Sequence, residues 1–188
     1  MKIIGIGGEP ATGKTTLMID LVKKNTCGIK PQRKKLKSCK FTVYDSAQLI
    51  VLGVYDDKQT FGGTDRLSMA VQPDAKLLIT KLLKDKYYQN FTILFEGDRL
   101  FNLSFIDWLK SITPNLILFV LTTENKTLQQ RHINRRDSQS SSWLNGRKTK
   151  ITRIINNHKN IKLLPNNNYH QQSDNLANIS DLLLKNIF

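Results

Sequence analysis

The sequence predicts an α/β fold, a parallel β-sheet of about five strands flanked by helices. Three observations predict it. Apolar runs at Lys2–Ile6, Phe91–Phe95 and Leu116–Leu121 have the near-continuous hydrophobicity of parallel strands buried on both faces. Segments with helical spacing of apolar residues alternate with them along the chain. A glycine-bounded loop joins the first run to the first helical segment, so that a ligand site would open at a strand's carboxyl end.

That loop organises the chain. Gly8-Glu9-Pro10-Ala11-Thr12-Gly13-Lys14-Thr15 fits G-x-x-x-x-G-K-[ST] at every fixed position, and Thr16-Leu17-Met18-Ile19-Asp20-Leu21-Val22 continues it as a helix. Gly8 and Gly13 let backbone N–H groups turn inward towards phosphate oxygens. The helix start adds unpaired N–H groups and the positive end of a dipole. Lys14 is expected at the β- and γ-phosphates and the Thr15 hydroxyl on Mg²⁺, with Ala11, Thr12 and Thr16 lining the same ligand. A glycine-rich turn with a chance Lys-Thr is the bland alternative, and the flanking strand and helix argue against it. ATP is the expected nucleotide. No base-reading motif separates it from GTP.

The other elements follow in order. The first helix spans Lys14 to about Asn25, ended by Gly28 and Pro31. Residues 28–40 read as a basic loop or an edge strand. Phe41–Tyr44 and Leu49–Tyr55, separated by Asp45-Ser46-Ala47-Gln48, predict a hairpin. Phe61–Arg66 requires a loop with special backbone angles. A helix follows from Pro73 to about Tyr88, then the 91–95 strand, a short helix over Leu103–Ser111 and the 116–121 strand. A polar helix over Asn125–Arg136 runs into Ser138–Ser142, read as a flexible stretch. Lys148–Asn157 is helical, Ile161–Leu164 a short strand, Pro165–Gln172 a polar loop and Leu176–Ile187 a closing helix. We expect one domain over residues 1–188, with a substrate-side hairpin and loop insertion at about 28–70 and an arginine-rich lid at about 124–150.

Composition narrows the function. No apolar run has transmembrane length, and the apolar start reads as a strand rather than a leader. Cys27 and Cys39 fit a reducing cytosol and, without nearby histidine, argue against a metal site. The formal net charge of +14 is unevenly spread. Residues 23–40 carry +8 with no acidic residue, residues 123–165 carry +8, and the rest carries −2. Two basic regions on a near-neutral body form the footprint of a polyanion site. For the second region a solvated surface or a phosphoryl-transfer lid explains the charge equally well. For 23–40 a nucleotide alone is a poor explanation, and nucleic acid is favoured.

Three further constellations carry chemistry. Glu96-Gly97-Asp98-Arg99 ends the second buried strand, on the sheet edge where ligands bind. A carboxylate there can hold Mg²⁺ or accept the proton of an attacking hydroxyl. Glu96 is the metal-side candidate, Asp98 fits either role, and Arg99 could hold a phosphate; a solvated strand end is the plain alternative. In Gly62-Gly63-Thr64-Asp65-Arg66 the glycines permit close backbone approach, and Asp65 and Arg66 offer an acceptor and a fork donor. An ordinary turn with exposed charges accounts for it equally well. Arg131, Arg135 and Arg136 lie near one helix face, with Arg147 beyond, suiting a lid that neutralises a triphosphate in the transition state. Trp143 in that lid is a base-stacking or a packing residue. His132, His158 and His170 receive no role. Lys34 and Lys35 are the candidate contacts to a nucleic-acid backbone.

GEPATGKTT, FEGDR and QQRHINRRD, in this order, resemble the P-loop kinases of nucleosides and nucleotides. That resemblance implies a five-stranded parallel sheet with a lid after its fourth strand. FEGDR departs from the Asp-Gly-Phe-Pro-Arg stretch of the nucleoside monophosphate kinases. VLGVYDD…FGGTDRLSM with FEGDRLF is more similar to phage-encoded kinases that phosphorylate 5-hydroxymethyluracil in DNA. It implies ATP as donor, a base hydroxymethyl group as acceptor, and DNA hypermodification in the cytoplasm of an infected cell. Asp98 or Asp65 would orient the hydroxyl, and the sequence does not choose between them. Two rivals stay open: a kinase of free deoxynucleosides or their monophosphates, and a P-loop switch protein that hydrolyses ATP without a phosphate acceptor. Oligomeric state is not legible.

Overall fold

The computed structural model describes residues 1–55, 62–135 and 139–184. Seven strands form one sheet in the order β2-β3-β4-β5-β1-β6-β7. Five of them are parallel: β4 (Leu49–Leu52), β5 (Thr92–Glu96), β1 (Lys2–Gly8), β6 (Leu116–Thr122) and β7 (Lys162–Pro165). This is the α/β class the sequence predicts, and the expected count of about five holds for the parallel part. The sheet is larger because β2 (Gln32–Leu36) and β3 (Cys39–Tyr44) extend it antiparallel beyond β4. Residues 28–40, for which the sequence allows a loop or an edge strand, thus supply an edge strand. The expected hairpin forms between β3 and β4, from Phe41↔Leu52 to Tyr44↔Leu49. Its second strand stops at Leu52, three residues before the expected end, because Gly53 (φ 110°) turns the chain away.

Helices cover both faces. On one side α1 (Lys14–Asn25) and α6 (Tyr169–Leu184) pack Leu17, Met18, Leu21 and Ile179 against Ile4, Ile6 and Leu94. On the other, α2 (Gln72–Lys84), α3 (Leu103–Ile112) and α5 (Ser141–Asn157) cover Ile3, Ile93 and Phe95. Period-two alternation along β1 produces this division and also explains its glycines. Gly5 and Gly7 share the face of Ile3, and a Cβ at Gly7 would lie 2.1 Å from the Phe101 ring. The vacated space is filled by Phe95 and Phe101, both fully buried and each worth roughly 1.5–3 kcal/mol of apolar burial.

Two helices begin earlier than the sequence suggests. The serine run read as flexible contains the start of α5, because Ser140 Oγ accepts the Trp143 N–H at 3.2 Å as an N-cap. Seven residues before Lys148 are therefore helical. Likewise α6 starts at Tyr169 rather than Leu176, with Asn168 Oδ1 accepting the Gln171 N–H at 3.0 Å. Among the described residues no helix is long and apolar enough to cross a membrane.

Candidate active site

The register Ile6↔Glu96 sets the carboxyl ends of β1 and β5 side by side. The chain leaves β1 towards β4 on one side, while the connection from β5 passes to β6 on the other. The crevice at this reversal is the ligand position of an open α/β sheet. β1 delivers the glycine-rich loop to it, and β5 delivers the acids.

The loop coils around its own lysine. Lys14 Nζ donates to Gly8 O at 3.0 Å and Glu9 O at 2.8 Å. Thr12 Oγ1 donates to Glu9 O at 2.8 Å, closing the turn from inside. The backbone is left-handed at Gly13 (φ 92°) and at Ala11 (φ 63°), where a side chain is strained. Gly13 precedes α1 without a side-chain cap, leaving the N–H groups of Lys14, Thr15 and the exposed Thr16 without a capping acceptor. These donors and the dipole end make an anion site. Loss of solvent lowers the pKa of the Lys14 ammonium, opposed by the negative charges of Glu96, Asp98 and Asp65.

Across from the lysine stand the acids. Glu96 is 1% exposed, and its Oε1 accepts the Thr15 hydroxyl at 3.2 Å. Burial pushes its carboxyl up to about 7, with Asp65 and Asp98 adding to the rise and Lys14 and Thr15 opposing it. Gly63 (φ 73°) passes so close that a Cβ there would sit 2.0 Å from Glu96 Oε1. Thr64 Oγ1 donates to the Glu96 carbonyl at 2.5 Å and fixes the turn Thr64–Arg66 against the strand tip. Asp65 is thereby placed beside Asp98, whose backbone N–H it accepts. Asp65 keeps an exposed flank, yet loss of solvent around its carboxyl, followed by the Asp98 charge, raises its pKa. Arg66 follows, half-buried, in the same turn. Arg99 draws the pKa of Asp65 down, and its own Nε is buried without a hydrogen-bond partner among the described residues.

Helix α5 meets this cluster. Arg147 Nη1 lies 2.5 Å from Asp98 Oδ2, and Lys150 Nζ lies 3.4 Å from Asp98 Oδ1 and 3.0 Å from its carbonyl. The Arg147 guanidinium stands 4.7 Å from the Trp143 ring centroid, so Trp143 supports an arginine of the lid. From α4 (Asn125–Asn134), Arg131 donates to Ala11 O at 3.2 Å and Asn166 O at 2.8 Å. The buried Asn166 donates from Nδ2 to Thr12 O at 2.6 Å. Together they fasten the phosphate loop to the segment after β7. Arg135 caps α4, is exposed, and its charge lowers the pKa of both Lys14 and Arg131. Arg136 lies outside the described residues. A cleft of about 300 Å³ opens between Glu9-Pro10 and the two lid helices, with Leu128, His132 and Lys148 on its walls.

Lys14, Thr15, Glu96, Asp65, Asp98, Arg99 and Arg147 therefore converge. Lys34 and Lys35 do not; they lie on β2, four strand spacings from β1. Three residues outside the predicted site set take part. Lys150 enters the sequence reading only as charge, and its helical phase three residues after Arg147 is the signal that pairs them. Asn166-Asn167-Asn168 reads in sequence as a polar loop or, less favoured, as a flank of the adenine; the structure ties Asn166 to Thr12 of the glycine-rich loop. Tyr55, which packs against the α1 side of the sheet, brings its buried hydroxyl beside Gly63 and the Glu96 carboxylate; burial, then Glu96 and Asp65, hold its pKa well above the ordinary value. No local signal marks it.

Among known proteins, no family model and no curated sequence matches the chain. Solved structures with a similar course include a gluconokinase from Sinorhizobium meliloti 1021, at 13% identity over 97% of this chain and 95% of that one, with a TM-score of 0.47. Another is an uncharacterized protein from Eubacterium ventriosum ATCC 27560, at 15% identity over 98% and 96% of the two chains, with a TM-score of 0.43.

Proposed function

We propose that the chain is an ATP-dependent kinase that phosphorylates the hydroxymethyl group of 5-hydroxymethyluracil in DNA. The observation that carries the kinase reading is the facing of two sets of groups. The uncapped helix start and Lys14 lie on one side, and Glu96, Asp65 and Asp98, closed over by Arg147 and Lys150, lie on the other. A loop that only binds phosphate needs no such acidic partner. The sequence resemblance described above supports the choice of acceptor, as does the basic 23–40 region.

The donor set suits Mg²⁺. A threonine hydroxyl and one carboxylate meet at Thr15 and Glu96, and among the described residues no cluster of three or more metal-ligating side chains exists. Mg²⁺ is held this way when phosphates and water complete its shell. Thr15 and Glu96 would hold it, and it would draw off negative charge from the transferring group.

In the reaction the hydroxymethyl oxygen forms a bond to the γ-phosphorus as the bond from that phosphorus to the β-phosphate's bridging oxygen breaks. The hydroxyl proton passes to a carboxylate. Asp98 is already engaged by two cations. Asp65 has a raised pKa and an exposed flank, so we assign it the proton and give Asp98 the positioning of the lid. Lys14 and Arg147 neutralise the developing charge. The target group projects into the major groove of duplex DNA, and extrusion of its base would cost a few kcal/mol.

Labelled ATP, hydroxymethyluracil DNA and free hydroxymethyl-deoxyuridine and its monophosphate, assayed side by side, test this reading. Label on the DNA supports it. Label on the free compounds alone makes the chain a small-molecule kinase, and free phosphate with no labelled acceptor makes it a hydrolase.

A further inference from the structure

The hairpin of β2 and β3 carries an exposed basic sheet face on the flank of the sheet beyond β4. Alternation turns Cys39, Phe41 and Val43 into the core against α2, and Lys40 and Thr42 to the opposite face. The register places Lys35 opposite Lys40, and Arg33 opposite Thr42, on that face. Among the described residues no acidic side chain pairs with Lys35 or Lys40, and both are exposed. Like charges set directly across two strands oppose pairing. The two-residue connection adds a second local cost, because Lys37 takes the left-handed conformation (φ 50°) that favours glycine or asparagine. Two such conflicts in one short hairpin point to a use for the charge outside the fold.

The hairpin also has a fixed place. β2 runs parallel to β4 and β5, so its turn projects from the sheet edge that carries Glu96. Ser38 donates from its N–H and its hydroxyl to Asp74 Oδ2, at 2.9 and 2.5 Å, tying the turn to the first turn of α2. Lys40 O accepts the Gly53 N–H at 2.9 Å, Gly53 packs on Gly63, and Gly63 packs on Glu96. Three contacts thus connect the basic face to the carboxylate at the reaction centre.

We infer that this face, through Lys35 and Lys40, and the turn at its end, through Lys37, hold the phosphate backbone of the DNA that flanks the reacting base. The inference rests on the DNA reading of the acceptor. Its partner is chosen by charge complementarity: a row of cations at strand spacing fits a regular polyanion. Within the lid, Arg131, Arg147 and Lys150 are engaged inside the protein, whereas Arg135 and Lys148 are exposed and can add to the grip.

The test is a salt titration of binding to a hydroxymethyluracil duplex, for the wild type and for Lys35→Gln/Lys37→Gly/Lys40→Gln. Loss of three backbone contacts lowers the slope of log affinity against log salt by about 2.7, so from 50 to 200 mM the wild type should lose about forty-fold more affinity than the variant. The variant's melting temperature should hold or rise. An unchanged slope overturns the inference while leaving the DNA kinase reading intact. An unchanged slope with aggregation of the variant assigns the lysines to protection of the sheet edge and also overturns it. Wild-type preference for phosphatidylserine vesicles over the duplex overturns it as well. If the wild type binds no DNA but phosphorylates the free nucleotide, the acceptor reading falls and the inference with it.

Discussion

Residues 123–165 and residues 23–40 carry the same formal charge, +8 each, and the cations at the site and those on the hairpin use it in opposite ways. In the lid, Arg131, Arg147 and Lys150 reach inward to carbonyls and to one carboxylate. In the hairpin the lysines face solvent at strand spacing. Inward charges are held in a fixed geometry near groups that titrate abnormally, so they act on chemistry and resist screening. Outward charges are screened by salt and act on encounter and grip. Net charge alone does not distinguish these uses; the partners of each cation do.

The comparison breaks most visibly at Asp98. Asp98→Asn removes the anion that both Arg147 and Lys150 clasp. Turnover should fall on the order of 10²- to 10³-fold on DNA and free acceptor alike, with ATP affinity retained, as steady-state rates and a binding titration would read. A loss confined to DNA would place Asp98 with the hairpin instead. Asp65→Asn should abolish transfer with ATP still bound; full activity in both variants would remove any carboxylate base from the mechanism.

Salt and pH sharpen the contrast. The kcat/KM on DNA should fall steeply between 50 and 200 mM salt, while that on a free acceptor changes several-fold less. pH addresses the inward set. Glu96 has a folded-state pKa of about 7 against an ordinary 4.5, so the folded protein keeps a proton that the unfolded chain releases. Its contribution is therefore complete below about 4.5 and is lost as pH rises to 7. Glu96→Gln should remove that loss and stabilise the metal-free protein most at pH 8, by a few kcal/mol at most, in thermal melts across pH. A variant less stable than wild type at pH 8 would contradict the buried, proton-holding carboxylate. The smallest effect is expected at Ala11, where glycine relieves the left-handed strain and should add about 1 kcal/mol of stability.

Much of this was legible in the chain, for identifiable reasons. The phosphate loop and the acids after β5 announce themselves because chemistry fixes their spacing or their place at a strand end. The parallel strands are legible because burial on both faces makes them apolar runs. β2 was harder: Gln32–Leu36 buries neither face, so no alternation marks it. The start of α5 was hidden because serines suit a cap and a loop equally. The ties of Asn166 to Thr12, Lys150 to Asp98 and Tyr55 to the Glu96 corner depend on chain crossings that no local pattern encodes.

The most direct measurement is nucleoside mass analysis of hydroxymethyluracil DNA after incubation with Mg-ATP and either wild-type protein or Lys14→Ala. The account predicts a phosphorylated hydroxymethyl-deoxyuridine in the wild-type digest, and its loss with the variant. An unmodified wild-type digest, or equal product from both proteins, would contradict it.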